Sequence, residues 1–407
     1  MSNVFEMKSY EEVINKIENS RRFGKAPGVE ASSVVLERLK EGGRIKGNIP
    51  FIHVAGTNGK GSTCAFLSNI LKNVGYKVGT FTSPHLIDFE ERIVINNKQI
   101  SKEKVRQLGQ ELLSQDFGVE LTMFDYCLIM AIIYFEEEKC DYMILETGLG
   151  GRLDSTNAVG IPELTVITKI GFDHMAILGD NLVSIAMEKS GVIKPGTRLV
   201  VESQEPEVME VFRKKAKETG VALNEVLQED INQIKELSIS LLGVHQWENA
   251  AVARKGIILL NLKKYNEKLV DEAIRQTRWK GRMEKISDKP FLMVDGAHNS
   301  NGVAALKSSL IELYPNEKFV FFMGVMADKD YPLMIKQMLP IAKEFVTVTP
   351  ESSRALQAKE LAAFISREGV KATSISSVEE MFSRLALEDK NIAFGSLYFI
   401  GEIEEKA

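Results

Sequence analysis

Short β-rich runs, each closing in a glycine or polar turn, alternate with helical patterns along almost the whole chain. Few folds accommodate that order. A strand that is followed by a helix returns to its sheet through a crossover, so the expected class is α/β with a largely parallel sheet. The first series of strand candidates reads "FIHVAG", "KVGTFTS", "YMILETG", "LTVITKI" and "RLVVES", with helical patterns from Lys60 to about Val74, Thr122 to Glu138, Leu182 to Val192 and Pro206 to Thr219. In open α/β sheets the ligand crevice lies at the carboxyl ends of the strands, so the turns after these runs are where chemistry is expected.

A second series, "FLMVDGA", "KFVFFMGV", "EFVTVTP", "KATSIS" and "NIAFGSLYF", begins near Pro290. With 407 residues, two domains are expected, and the polar, unpatterned "RWKGRMEKISDKP" between the series places the cut at 284/285. A net charge of −5 gives no reason to expect nucleic acid or an anionic membrane as partner. The longest apolar run, Tyr126 to Phe135, is about half a membrane span and reads as a buried helix. The start, "MSNVFEMKSYEEV", carries acids and no apolar run, which predicts no secretory signal there. Cys64, Cys127 and Cys140 form neither a disulfide framework nor a C-x-x-C pair, which fits a reducing cytoplasm.

"FIHVAGTNGKGSTCAF", Phe51 to Phe66, is a strand, a glycine turn and a helix start, the context in which free backbone N–H groups receive a phosphate. Its spacing departs from G-x-x-x-x-G-K-[ST]: Val54 stands at the first glycine, and Gly61 where a metal-binding hydroxyl belongs. Gly56, Gly59 and Gly61 permit close backbone approach, and Lys60 can neutralise β and γ phosphates. A metal here needs ligands from elsewhere.

Other strand ends supply candidates. "TFTSPHL" brings hydroxyls and His85 beside the loop; by itself it reads as a structural Ser-Pro turn. "LETGLGGRLDSTN" puts Glu146 at a strand end, where an acid suits Mg²⁺, with Arg152 and Asp154 in the same turn. Asp173 and His174, and then Asp295, His298 and Asn299, follow two further strands; two histidines at one sheet edge suggest metal binding or proton chemistry. Glu188 and Lys189 read, on chemistry alone, as a surface ion pair. "HQWENAAVA" opens a helix with His245, Gln246 and Asn249 near one face.

Together these stretches resemble the folylpolyglutamate synthase and dihydrofolate synthase family, within the Mur-type ATP-dependent amide ligases. "HVAGTNGKGS", "TSPHL", "LTMFD", "ETGLGGRLDSTN", "FDHMAILG", "EKSGVIKPG", "HQWENA", "WKGRME", "VDGAHN", "DKDY" and "GSLYFIGE" follow one another in the family's order. The resemblance implies a P-loop ATPase-like domain of the Mur central type over residues 1–284 and a smaller Rossmann-like glutamate ligase domain over 285–407. It implies L-glutamate joined to the γ-carboxylate of a folate, or to dihydropteroate, through an acyl phosphate with release of ADP and phosphate. The substrates are then ATP, L-glutamate and a folate or dihydropteroate, the metal is Mg²⁺ as two ions, and the habit is monomeric. A K⁺ requirement is a family trait that no residue here predicts.

The resemblance assigns Thr57, Asn58, Gly59, Lys60, Gly61 and Ser62 to ATP, with Asn249, Arg282 and Asp295. It assigns Ser83, Glu146 and His174 to Mg²⁺. Lys189 matches a lysine carbamylated by CO₂ in this family, which would make it an anionic ligand for a second Mg²⁺, so the ion-pair reading recedes. Thr122, Phe124, Asp125, Leu153 and Asp154 fall to the folate or pteroate, although the family commonly has Glu at Asp125, and the upstream "FGKAPGVEASSVVLERL" is a loose match. His298 and Ser396 fall to glutamate; Lys60, Lys189, His298 and Asp295 form the catalytic set. Another Mur-type ligase is the nearer alternative, disfavoured by Gly61, since cell-wall ligases usually carry a hydroxyl there. A P-loop NTPase or phosphotransferase leaves Asp295, His298 and Asn299 without a task.

Overall fold

The protein is described by a computed structural model for residues 9–20 and 28–407. Residues 1–8, read for a secretory signal, and residues 23–27 of the loosely matching segment lie outside these. The chain forms two compact units, Met1–Leu237 with Glu248–Ile274, and Ser238–Trp247 with Arg275–Ala407.

The first unit holds an eight-stranded sheet: β1 Phe51–Ala55, β2 Val78–Phe81, β3 Ile93–Ile95, β4 Lys98–Gln99, β5 Tyr142–Glu146, β6 Leu164–Ile167, β7 Arg198–Val201 and β8 Leu223–Glu225. Their order is β4-β3-β2-β5-β1-β6-β7-β8. From β2 to β8 every pairing is parallel, as the alternation demands. β3 and β4 are antiparallel at one edge. The turn between them, Asn96 and Asn97, has φ of 47° and 66°, the left-handed geometry that two-residue hairpins favour. At two or three residues, β3, β4 and β8 are too short to carry a legible pattern.

β1 is central, flanked by β5 and β6, and all five of its residues are buried. Among them His53 is polar. Its Nε2 lies 2.7 Å from Thr156 Oγ1, and Thr156 in turn donates to Asp154. The ring must therefore donate through Nε2. Burial pushes its pKa down to about 3, so it stays neutral. The apolar run at Tyr126 forms the helix Met123–Glu137, buried on nearly every side. Among the described residues, no helix is long and apolar enough to cross a membrane.

The second unit carries β9 Glu284–Asp288, β10 Phe291–Asp295, β11 Phe319–Met323, β12 Ala342–Thr347, β13 Ala372–Ser374 and β14 Lys390–Phe394, in the order β13-β12-β11-β14-β10-β9. All pair in parallel except β9, which runs antiparallel to β10. This is where the expected cut at 284/285 differs from the compact units. The polar segment contains an edge strand of the second sheet, Glu284–Asp288, and the second unit takes Arg275–Ala407 together with Ser238–Trp247. Edge strands carry charge to discourage further pairing, which makes them look like linkers in sequence.

Candidate functional site

β1 runs into Gly56–Gly59 and then the helix Lys60–Asn73. Gly56 has φ 153°, and a Cβ there would stand 1.9 Å from Thr168 Oγ1. Gly59 has φ 84°, and a Cβ there would meet Asn249 Oδ1 at 2.1 Å, so both positions demand glycine. The Asn249 carboxamide also accepts from Thr63 Oγ1 at 3.4 Å, which seats it against the helix start. The N–H groups of Thr57 and Asn58 both donate to the Lys169 carbonyl, at 2.9 and 3.1 Å. These two amides hold the loop's shape. The first turn of the helix, with Gly61 and the buried Ser62, is the part whose N–H groups helix geometry leaves over.

Lys60 reaches from that helix toward β5. Its Nζ lies 3.9 Å from Glu146 Oε1 and donates to the Thr57 carbonyl at 3.3 Å. Glu146 ends β5 and is 4 % exposed. Its Oε2 accepts from the Ser83 N–H at 3.3 Å, so Ser83, Glu146 and Lys60 stand together. Lys189, from the helix Leu182–Ser190, is also 4 % exposed and donates from Nζ to the Gly56 carbonyl at 2.7 Å. Burial, and next the nearby Lys60, lower its pKa to about 7. The surface pair with Glu188 does not form: Glu188 binds Arg152, 3.0 Å away, and Lys189 turns inward under the loop.

His174 begins the short helix Met175–Leu178 with φ 51°. Its side chain is 44 % exposed, with Nε2 3.9 Å from Asp173. Among the described residues, no three His, Cys, Asp or Glu side chains gather as a group able to hold a metal. The expectation that His174 and His298 share a sheet edge fails, because one follows β6 and the other β10, in different sheets.

Two acids expected at the folate are consumed inside the first unit. Asp125 is fully buried, and its Oδ1 accepts from Ser32 and Ser155 hydroxyls, both at 2.6 Å. Its Oδ2 accepts from the Thr122 N–H and hydroxyl at 2.8 and 2.6 Å. Asp154 accepts from the N–H groups of Gly148, Leu149 and Thr156 at 2.9, 2.9 and 3.0 Å, and from the Thr156 hydroxyl. A carboxylate offers about four acceptor positions, so both acids are filled and act as hubs of the turn. Burial still pushes Asp154 above its ordinary pKa, against those bonds. Thr122 caps the helix Met123–Glu137, with Asp125 as reciprocal partner. Phe124 packs against Phe81, ring centres 5.3 Å apart, while Leu153 is 55 % exposed and the more available apolar surface.

In the second unit Asp295 ends β10, and its carboxylate accepts from the N–H groups of Met283 and Ala297 at 2.9 and 2.8 Å. Gly296 N–H donates to the Gly281 carbonyl at 2.8 Å, which ties the turn bearing Arg282 to the end of β10. His298 Nδ1 lies 2.8 Å from the Gly296 carbonyl, so the proton sits on Nδ1. Asn299 caps the helix Ser300–Leu313, and buried Ser396 caps Leu397–Lys406.

Two family models match the chain: the Mur ligase middle domain over residues 54–255 and the Mur ligase glutamate ligase domain over residues 281–393. The "Dihydrofolate synthase/folylpolyglutamate synthase" of Bacillus subtilis is 36 % identical over 98 % of this chain and 99 % of its own length. The chain belongs to the folylpolyglutamate synthase/dihydrofolate synthase family of Mur ligases. Solved members of the same fold include Escherichia coli FolC in complex with DHPP and ADP, at TM-score 0.87 and 26 % identity, covering 100 % of this chain and 99 % of that one. The bifunctional enzyme of Yersinia pestis, complexed with AMPPNP and a Mn ion, superposes at TM-score 0.85 with 25 % identity, covering 100 % and 99 %.

Sequence reading of this Mur-family chain passed over Thr168, Lys169, Glu202 and Gln204, which hold the glycine loop from the β6 and β7 side. Glu202 is the first residue after β7. The strand-end rule that singled out Glu146 and Asp295 would have found it.

Proposed function

We propose that this chain is an ADP-forming acid–amino-acid ligase that joins L-glutamate to the γ-carboxylate of a folate. In the bifunctional reading it also acts on the carboxylate of dihydropteroate. The observation that carries the proposal is the gathering of Lys60, Glu146, Ser83 and Lys189 around one glycine loop at the end of a central strand. A generic phosphate loop needs no additional lysine buried beneath it.

The helix start from Lys60 to Ser62 receives the phosphates, and the Lys60 ammonium offsets charge on the β and γ groups. The acceptor carboxylate attacks the γ-phosphorus, ADP departs, and an acyl phosphate forms; the glutamate amine then displaces phosphate. Carboxylate and hydroxyl oxygens suit a hard divalent ion, and such an ion commonly uses one or two carboxylates with phosphate oxygens and water. Glu146 and Ser83 supply that donor set, with His174 as a further candidate. When bound, the ion neutralises charge at the transferring phosphoryl group. A carbamate on Lys189 forms as its neutral amine adds to CO₂ and releases a proton, and an amine held near pKa 7 is neutral often enough for this. It would serve a second Mg²⁺.

Arg282 and Asp295 are assigned to the nucleotide, and His298 and Ser396 to glutamate. The apolar end of the folate is assigned to Phe124 and Leu153, with Thr122, Asp125 and Asp154 shaping that turn. The phosphate-binding loop lies in the stretch matched by the Mur ligase middle domain, and the residues assigned to glutamate follow within or just after the stretch matched by the glutamate ligase domain. K⁺ dependence, monomeric state and a cytoplasmic setting accompany the reading; paired K⁺ and Na⁺ buffers and light scattering test the first two.

The deciding experiment measures ADP release with ATP, glutamate and either tetrahydrofolate or dihydropteroate. Release that requires both glutamate and a pterin acceptor supports the ligase. Release that ignores glutamate favours an NTPase, and release only with another carboxylate moves the chain to a different Mur-type activity. Carbamylation is read separately, by a ¹³C-carbamate resonance that appears with labelled bicarbonate and is absent from Lys189→Ala.

A further inference from the structure

The parallel ladder between β6 and β7 ends at Ile167 opposite Val201, and the Glu202 N–H still donates to the Ile167 carbonyl at 2.8 Å. Past that point the β7 chain departs, and the backbone of 168–170 is held by side chains from the residues that follow β7. Glu202 Oε2 accepts from the Lys169 N–H at 2.8 Å. Gln204 Oε1 accepts from the Ile170 N–H at 3.0 Å, and its Nε2 donates to the Thr168 carbonyl at 3.2 Å. The Gln204 carboxamide thus stands in for a strand residue, offering one donor and one acceptor at ladder spacing. The Lys169 ammonium donates to the Ser203 carbonyl at 2.9 Å and closes the bracket from the other side.

The opposite edge of this clamped segment is the one on which the glycine loop hangs. Thr57 and Asn58 donate their N–H groups to the Lys169 carbonyl, and the Thr168 hydroxyl donates to the Asn58 carbonyl at 2.7 Å. The peptide that joins the Lys169 carbonyl to the Ile170 N–H is therefore gripped by Gln204 on one side and supports the loop on the other. Glu202 is 3 % exposed, so its bond to Lys169 forms where little water competes.

We propose that Glu202 and Gln204 are positioning residues for the nucleotide, bracing the 168–170 segment so that the loop from Gly56 to Gly59 is preorganised before phosphate arrives. This rests on the reading that the loop receives phosphate, but the brace itself can be measured without ATP. Preorganised donors add to binding because their ordering is not charged to the ligand.

The test uses the full chain with Gln204→Ala, Glu202→Ala and the conservative Glu202→Gln, which keeps an acceptor for the Lys169 N–H. Hydrogen exchange of the Thr57 and Asn58 amides is expected to quicken about tenfold in Gln204→Ala, with the core of β1 unchanged, since only the bracket's local opening is eased. The KM for ATP is expected to rise about fivefold to tenfold while the KM for glutamate stays within about twofold. Glu202→Gln is expected to match the unsubstituted chain in exchange at Thr57 and Asn58 and in the KM for ATP. Where Glu202→Ala does not fold, Gln204→Glu is read in its place, because it keeps volume and acceptor and loses the donor to Thr168. Unchanged exchange at Thr57 and Asn58 overturns the brace. Faster exchange with an unaltered KM for ATP overturns the positioning role. A chain with no ATP-dependent activity at all, but faster exchange in the variants, overturns the phosphate reading and leaves the brace standing.

Discussion

Glu146 and Asp125 are both carboxylates sealed inside the first unit, at 4 % and 0 % exposure, yet their surroundings differ. Asp125 is met by three hydroxyls and one backbone N–H, all from the scaffold. Glu146 is met at a strand end by the Ser83 N–H and faces the Lys60 ammonium across 3.9 Å, a gap looser than a closed ion pair. Burial therefore does not distinguish a site acid from a structural one. The kind of partner does: Asp125 is met by neutral scaffold donors, whereas Glu146 stands beside a cation at a phosphate-type loop.

That contrast can be broken at its strongest point first. Lys60→Ala is expected to lower kcat/KM by on the order of a thousandfold, about 4 kcal/mol of transition-state stabilisation, while the thermal midpoint stays nearly unchanged. A large drop in thermal midpoint with modest loss of rate would put Lys60 and Glu146 with the hubs. Asp125→Ala is expected to act the other way, costing about 3 kcal/mol in urea unfolding because four donors lose their acceptor. The specific activity of its folded fraction should stay within several-fold. Full stability with lost turnover would make Asp125 a substrate contact after all.

Glu202 sharpens the comparison through pH. Burial, then Glu248, raise its carboxyl to about 8, while Lys169 works against the shift; Lys235 acts in turn on Glu248. An acid whose folded pKa lies above its unfolded value binds more protons when folded, so stability falls as pH climbs from about 4.5 to about 8 and levels off beyond. Glu202→Gln removes that loss. Denaturation at pH 9 should show the variant more stable by about 2 kcal/mol, and at pH 4 the two should coincide. A gap that does not widen with pH would mean that Glu202 ionises in the fold as freely as in the unfolded chain. The smallest effect is expected from Thr122→Ser, which keeps the hydroxyl cap of the helix Met123–Glu137 and should cost well under about 1 kcal/mol; Thr122→Ala should cost about 1 kcal/mol or somewhat more, since the cap and one Asp125 partner go together.

Much of the first unit is legible in the sequence alone. Strand, glycine turn and helix at Phe51–Asn73 are local matters: apolar residues in a short run, glycines where a Cβ would collide, and a helix pattern directly after. The same holds for Glu146 and Asp295 at strand ends. β9 lies in the polar stretch used to place the domain cut and shows no strand pattern there, because an edge strand is charged. For Asp125 and Asp154 the sequence shows an acid without showing its donors, so their place in the scaffold's hydrogen bonding is not legible there. Ser32, for instance, reaches Asp125 across 93 positions.

The sequence by itself determined the α/β class, the family and the loop, because periodicity, glycine placement and motif order are carried by neighbouring residues. Tertiary structure alone decided which charges are available. It turned Lys189 away from Glu188 and under Gly56, filled the shells of two acids, and set Glu202 and Gln204 against the segment that supports the loop. Whether a buried polar atom is used up or left to do chemistry depends on donors and acceptors delivered by distant segments. Folding brings those together, and no local pattern encodes them.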